Sequence, residues 1–369
     1  MIIEFKVKNW MCFKDEVCLS MGAGDTQKHE DRVFNLDSPD YSLLHVSAIY
    51  GANLSGKSCF IKAIIFFRSL LVGFEGSKTY KNSFFTHPSH VVNKIKEPVE
   101  MSMEFLVDDK IYRIWLLLSI NGIQVGIVYK TDSNNNEHEI QRINGGDVFG
   151  AGNVFSLVDS FPTTQEGKDI INWFKNNLCI IDLSTDFNYS VDYKRFSKIL
   201  DNLELKELRV SNRDNAKIVL DNIRSHGAKR IFVLASHLES ICSENKVLII
   251  DDIDRGIHPV VLRNLIKSYL ESFEDCVDHL KSQIIFTTHE IRFLKNNFLR
   301  RDEVWFLERY HGNFSGDLSG DLFSLNDFET LDDESDIDDE YMAGRLGGAP
   351  YIIFSNSLNI SYNNFKLQE

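Results

Sequence analysis

The stretch "SAIYGANLSGKS" (residues 47–58) decides the fold. Ser47 to Tyr50 read as an apolar strand and Lys57-Ser58 as the opening of a helix. Between them, Gly51-x-x-x-x-Gly56-Lys57-Ser58 is a phosphate-binding pattern. Gly51 and Gly56 let the backbone curl without a Cβ clash. The amides of Ala52, Asn53, Leu54 and Ser55 then turn inward as an anion nest. The helix N-terminus, which includes Cys59, adds its positive end. Lys57 is placed to reach the β- and γ-phosphates and Ser58 to ligate Mg²⁺, so the expected cofactors are ATP and Mg²⁺.

Working outward, "LLHVSAIY" reads as one buried strand into this loop. "KSCFIKAIIFFRSLLVGF" reads as a helix that is apolar nearly all round and therefore buried on most sides. Ile2 to Met21 reads as two short strands around a turn at Lys14-Asp15. From Val99 the period becomes two: Val99, Met101, Met103, Phe105 and Val107 point one way. Turns at Asp108-Asp109 and Asn121-Gly122 extend this into an antiparallel meander. Residues 165–240 read mostly as helices broken by one strand, "LCIIDLS".

Two further all-apolar runs, "KVLIIDDID" and "SQIIFTTHE", read as parallel strands covered on both faces, with the helix "PVVLRNLIKSYLESF" between them. The first presents Asp251 at its carboxyl end, where open α/β sheets bind ligands. Asp251 is expected in the Mg²⁺ shell, and Asp252 beside it to orient the attacking water. His289, ending the second strand, is expected to hydrogen-bond the γ-phosphate and report its loss. The catalytic set on this reading is Asp252, His289 and Lys57, with Ser58 and Asp251 at the metal.

Composition narrows the class. The chain has 369 residues, 43 % of them hydrophobic, and a formal net charge of −14. Nucleic-acid affinity is driven by neutralising phosphate, so this balance predicts weak or no direct nucleic-acid binding. Cys12, Cys18, Cys59, Cys179, Cys242 and Cys276 form no C-x-x-C pair, and they read as reduced thiols. The N-terminus alternates like a strand and lacks a signal-peptide core. No run approaches the roughly 18 apolar residues of a membrane span. The expectation is a soluble, cytoplasmic chain without a membrane partner.

The order of motifs resembles ABC-type ATPase heads of the SMC/RecF-like branch. Within it, the chain is similar to bacterial abortive-infection ATPases of the AbiL/RloA type, relatives of the ATPase subunit of PARIS-type defence. The likeness is carried by "FKVKNWMCFKDE", "SAIYGANLSGKS", "LIIDDIDRGIHP", "IIFTTHE" and "YMAGRLGGAP". It implies an α/β fold: a P-loop ATPase head with an antiparallel β meander and a helical insertion, and no long coiled coil. The expected organisation is a head over 1–320, with the antiparallel β part at about 1–150, the helical insertion at about 160–235 and a C-terminal nucleotide-binding half at 236–310. An acidic segment and tail occupy 321–369.

The resemblance also implies that two copies close head-to-tail around ATP, with higher oligomers open. A degenerate signature at Ser225-His226-Gly227-Ala228-Lys229 would then cap the partner's nucleotide, Ser225 and Gly227 donating to the γ-phosphate. Two departures stand out. Asp252 occupies a position where the class has Glu, one methylene longer, which implies slow hydrolysis. His226 intrudes where the class has Ser-Gly-Gly. The function implied is a slow switch ATPase of an antiviral system that senses infection and holds or activates a separately encoded effector, a nuclease on this reading. The alternatives are a RecF/SMC-like DNA-repair ATPase acting on ends or gaps and a transporter ATPase subunit.

Overall fold

Alternating and continuous apolar runs segregate into two different sheets. The computed structural model describes residues 1–24, 28–36, 42–72, 97–119, 122–130, 137–144, 164–182, 190–192, 217–219, 226–274, 281–311, 318–328, 331 and 336–349. In chain order the first strands are β1 (Ile2–Lys8), β2 (Val17–Ser20), β3 (Val33–Asn35), β4 (Ser42–Leu44) and β5 (Val46–Tyr50). Helix α1 (Lys57–Val72) precedes β6 (Val99–Val107), β7 (Lys110–Ser119), β8 (Gly122–Lys130) and β9 (Glu137–Asn144). Next come α2 (Gln165–Asn177), β10 (Leu178–Asp182), β11 (Ser190–Asp192), β12 (Lys217–Val219) and α3 (His226–Glu244). The remaining elements are β13 (Val247–Asp251), α4 (Pro259–Glu274), β14 (Gln283–Thr287), β15 (Val304–His311), β16 (Leu318–Ser324) and α5 (Ile337–Met342).

The antiparallel sheet has the order β2-β1-β6-β7-β8-β9. Val99, Met101, Met103 and Phe105 of β6 are buried, as the two-residue period requires. Val107 pairs with Lys110. The two residues between them, Asp108 and Asp109, both take left-handed φ of 48° and 61°. That geometry matches the twist of a tight hairpin, and acidic residues tolerate it. Gly122 pairs with Ser119 and so opens β8. Asn121, the other residue of the expected second turn, lies outside the described residues.

The second sheet runs β10-β13-β14-β5-β15-β16. Its first five strands are parallel, and β16 closes the edge antiparallel to β15. Every residue of β5 and β14 is buried, which explains why these strands carry no alternation. Helix α1 lies between the sheets. Phe60 and Phe67 meet Phe5 of β1 edge-on at 5.6 and 5.8 Å. Ile49, Ile249 and Ile285 of the parallel sheet join the same core. Each fully buried side chain of this kind contributes about 1.5–3 kcal/mol. The opposite face, with Tyr50, Ile250 and Phe286, packs under α3, α4 and α5.

The run read as a single strand, "LLHVSAIY", is split at His45. Leu43 and Leu44 pair with β3, whereas Val46 onward joins the parallel sheet. The imidazole accounts for the break. It turns into the core, stacks on Phe273 at 3.8 Å and sets Nδ1 2.7 Å from the Ser282 carbonyl. Among the described residues, no helix is long and apolar enough to cross a membrane.

Candidate functional site

Residues 51–56, the candidate phosphate loop, span the gap between β5 and α1. Leu54 takes φ 68° and is 85 % exposed at the loop's apex. Gly56 takes φ 116°, and a Cβ there would meet Cys12 Sγ at 2.7 Å. A Cβ on Gly51 would meet the Leu307 carbonyl at 2.6 Å. Both glycines are therefore required, Gly56 by conformation and contact and Gly51 by the close approach of β15. Ser55 Oγ is buried without a hydrogen-bond partner among the described residues. An unpaired hydroxyl there fits a loop shaped to receive an oxyanion.

Lys57 opens α1 and folds back over the loop. Its Nζ donates to the carbonyls of Gly51 at 2.7 Å and Ala52 at 3.1 Å. Burial holds its pKa below the ordinary lysine value, against the pull of Asp252, Asp251 and Asp254. A buried ammonium whose direct partners among the described residues are neutral carbonyls is a ready counter-ion for phosphate. Ser58 and Cys59 follow in the first helical turn, and the Cys59 carbonyl accepts from Trp10 Nε1 at 3.0 Å.

The acidic strand end lies two strands away, at the same carboxyl edge. The Asp252 N–H donates to Thr287 Oγ1 at 2.7 Å, and that hydroxyl donates to Asp251 Oδ1 at 2.7 Å. Asp252 takes φ 51°, in the left-handed region that aspartate adopts more readily than most side chains. Its backbone is held there by the Thr287 hydroxyl. Its carboxyl is held above the usual range by burial first and by Asp251 second.

His289, exposed just beyond β14, is positioned by its backbone. Its N–H donates to Asp254 Oδ1 at 3.2 Å, and Thr288 Oγ1 donates to the same oxygen at 2.9 Å. Partial desolvation and then Lys57 hold its ring below the ordinary histidine pKa. Lys57 and Asp252 both act on His289, and Asp251 and Asp252 act on Lys57. The fold thus brings Lys57 within electrostatic reach of Asp251, Asp252 and His289, although the sequence separates Lys57 from His289 by 232 positions (289 − 57).

Helix α3 begins at His226, three residues before the expected start near Lys229, so Gly227 lies in its first turn, half-buried. Ser225 lies outside the described residues. The Arg230 guanidinium fills the space that a Cβ on Gly256 would need. Gly256 itself takes φ 67°. The N-terminal turn of α3 therefore touches the loop that follows the Asp-Asp strand.

Among the described residues, no cluster of three or more His, Cys, Asp or Glu could hold a metal by itself. Mg²⁺ is usually bound through one or two protein oxygens together with substrate phosphates. Asp251 and Ser58 are the residues that could supply them. Thr287 and Asp254 escaped the sequence reading, and the one available signal for Thr287 was the Thr-Thr pair directly after an all-apolar run.

Residues 162–295 match the family model described as "AAA domain, putative AbiEii toxin, Type IV TA system". The matched span contains the Asp-Asp and Thr-His strands and begins well after the candidate phosphate loop at 51–58. The match supports a P-loop ATPase domain of the abortive-infection and toxin–antitoxin type, and with it an α/β ATPase fold. No curated protein matches the chain significantly.

Proposed function

We propose that this chain is an ATP-binding, slowly hydrolysing switch ATPase of an antiviral defence system. It closes as a head-to-tail dimer around ATP and holds or activates a separately encoded effector, a nuclease in this reading. The observation that carries the reading is the convergence of Lys57, Asp251, Asp252 and His289 at the carboxyl ends of β5, β13 and β14, three neighbouring strands. The family match supplies the defence context.

The residues divide the work by chemistry. Loop amides 52–56 and Lys57 bind the phosphates, Lys57 exchanging its loop carbonyls for phosphate oxygens. Ser58 and Asp251 would hold Mg²⁺, which when bound would supply positive charge against the phosphate oxygens. Asp252, its pKa raised, accepts a proton from the attacking water or orients it. His289 contacts the γ-phosphate and links its presence to the Asp254 loop. Ser225 and Gly227 of a second copy cover the exposed loop from the other side.

The test is mass photometry of the Asp252→Ala variant with and without ATP and Mg²⁺. This variant is expected to retain ATP and to run as a dimer only with nucleotide present, and Lys57→Ala to remain monomeric throughout. A monomer under every condition would remove the dimeric switch.

A further inference from the structure

The motif "YMAGRLGGAP" has no part in the mechanism above, yet it packs against the centre of the site. Tyr341 of α5 is buried and stacks on Phe306 of β15 at 5.5 Å. It also meets Tyr50, the residue directly before the phosphate loop, edge-on at 5.7 Å. The Tyr341 hydroxyl donates to the Gly348 carbonyl at 3.1 Å. Gly348 takes φ 61°, and the position of its missing Cβ lies 3.5 Å from Gly51 Cα. The Tyr50 hydroxyl in turn donates to the carbonyl of Glu290, next to His289, at 3.0 Å. At the other end of α5, Asp338 pairs with Lys295 at 2.8 Å, six residues beyond His289.

These contacts form a closed circuit. It runs from the His289 turn through Tyr50 and Tyr341 to Gly348, and from there to the first glycine of the phosphate loop. Gly51 is bounded by the β15 backbone on one side and by this segment on another, so displacement of the loop must displace the segment too. We propose that residues 337–349 are a strap that sets the phosphate loop and the His289 turn together, with Tyr341 and Gly348 as positioning residues of the site. The strap's role in binding rests on the nucleotide reading above. Its grip on the loop does not.

Two variants separate these. Tyr341→Phe keeps the ring packing and removes only the hydroxyl that holds Gly348. Gly348→Ala forces a Cβ into a left-handed backbone position. Met342→Ala, at a strap residue that is 64 % exposed, is the control. Hydrogen exchange of the loop peptide is measured without nucleotide, and ATP affinity by calorimetry. In Tyr341→Phe and Gly348→Ala, loop exchange should rise about fivefold and ATP affinity fall about tenfold, with Met342→Ala unchanged in both. Unchanged loop exchange in both strap variants overturns the strap. Faster loop exchange in a chain that binds no ATP supports the strap's grip and overturns the nucleotide reading instead.

Discussion

Thr287 binds Asp251 through its side chain: Thr287 Oγ1 donates to Asp251 Oδ1 at 2.7 Å while accepting the Asp252 N–H at the same distance. One hydroxyl on β14 therefore orients the acid proposed for the metal shell and fixes the left-handed backbone of the acid proposed for the water. A hydroxyl can do both because it is donor and acceptor at once.

Thr287→Val keeps the shape and removes both bonds. The Asp252 N–H, partly buried, would lose its partner, which costs about 1–3 kcal/mol. Phosphate release should fall about 10²-fold from misplacement of Asp252, with ATP affinity nearly unchanged. Thr287→Ser should retain most activity. Equal loss in the two variants would place the effect in packing rather than in the hydroxyl.

Asp252→Glu extends the carboxylate by one methylene. If Asp252 is withdrawn from the water it orients, the longer side chain should raise the turnover number about tenfold or more with little change in KM. Slower turnover in steady-state assays would mean that the left-handed turn already delivers the aspartate to its working position.

His45 gives a pH signature unconnected with catalysis. Burial brings its pKa down to about 4, from an ordinary 6.5. A group lowered in the folded state contributes stability in full above its unfolded pKa, and that contribution is lost as pH falls from about 6.5 towards 4. The shift corresponds to roughly 3 kcal/mol. Urea unfolding of wild type and His45→Asn should show the variant less stable at pH 7 and the gap closing by pH 4.5. A gap that stays constant would mean that the ring does not titrate in this window.

The charge of −14 bears on the DNA-repair alternative. Anisotropy with duplex and gapped DNA at about 150 mM salt should give dissociation constants no tighter than about 10⁻⁵ M, with ATP present or absent. Tight binding that depends on ATP would favour the repair reading.

Much of this architecture was legible because each sheet has its own sequence signature. β6 and β7 alternate, with turn residues between them, and β5, β13 and β14 are mostly apolar runs that end before Gly51, at Asp251 and at the Thr-Thr-His sequence. That residues 51–56 turn between a strand and a helix was legible from their glycines, since such geometry is local. What stayed hidden depends on contacts distant in sequence. His45 reads as one residue in an apolar strand, and only Phe273 and Ser282 show why the chain bends there. Thr287 reads as a strand residue until Asp251 is placed beside it. The early start of α3 at His226 puts a glycine and a histidine into a first turn, against their weak helix propensity. The strap was visible as a motif, but its position on Gly51 came only with the fold.

The central claim is that residues 51–58 bind a nucleoside triphosphate, and titration calorimetry with ATP and Mg²⁺ tests it most directly. Wild type should bind saturably at one site per chain, and Lys57→Ala should bind about a hundredfold more weakly, the loss of one charge-assisted contact. No binding by wild type, or equal binding by the two proteins, would contradict it.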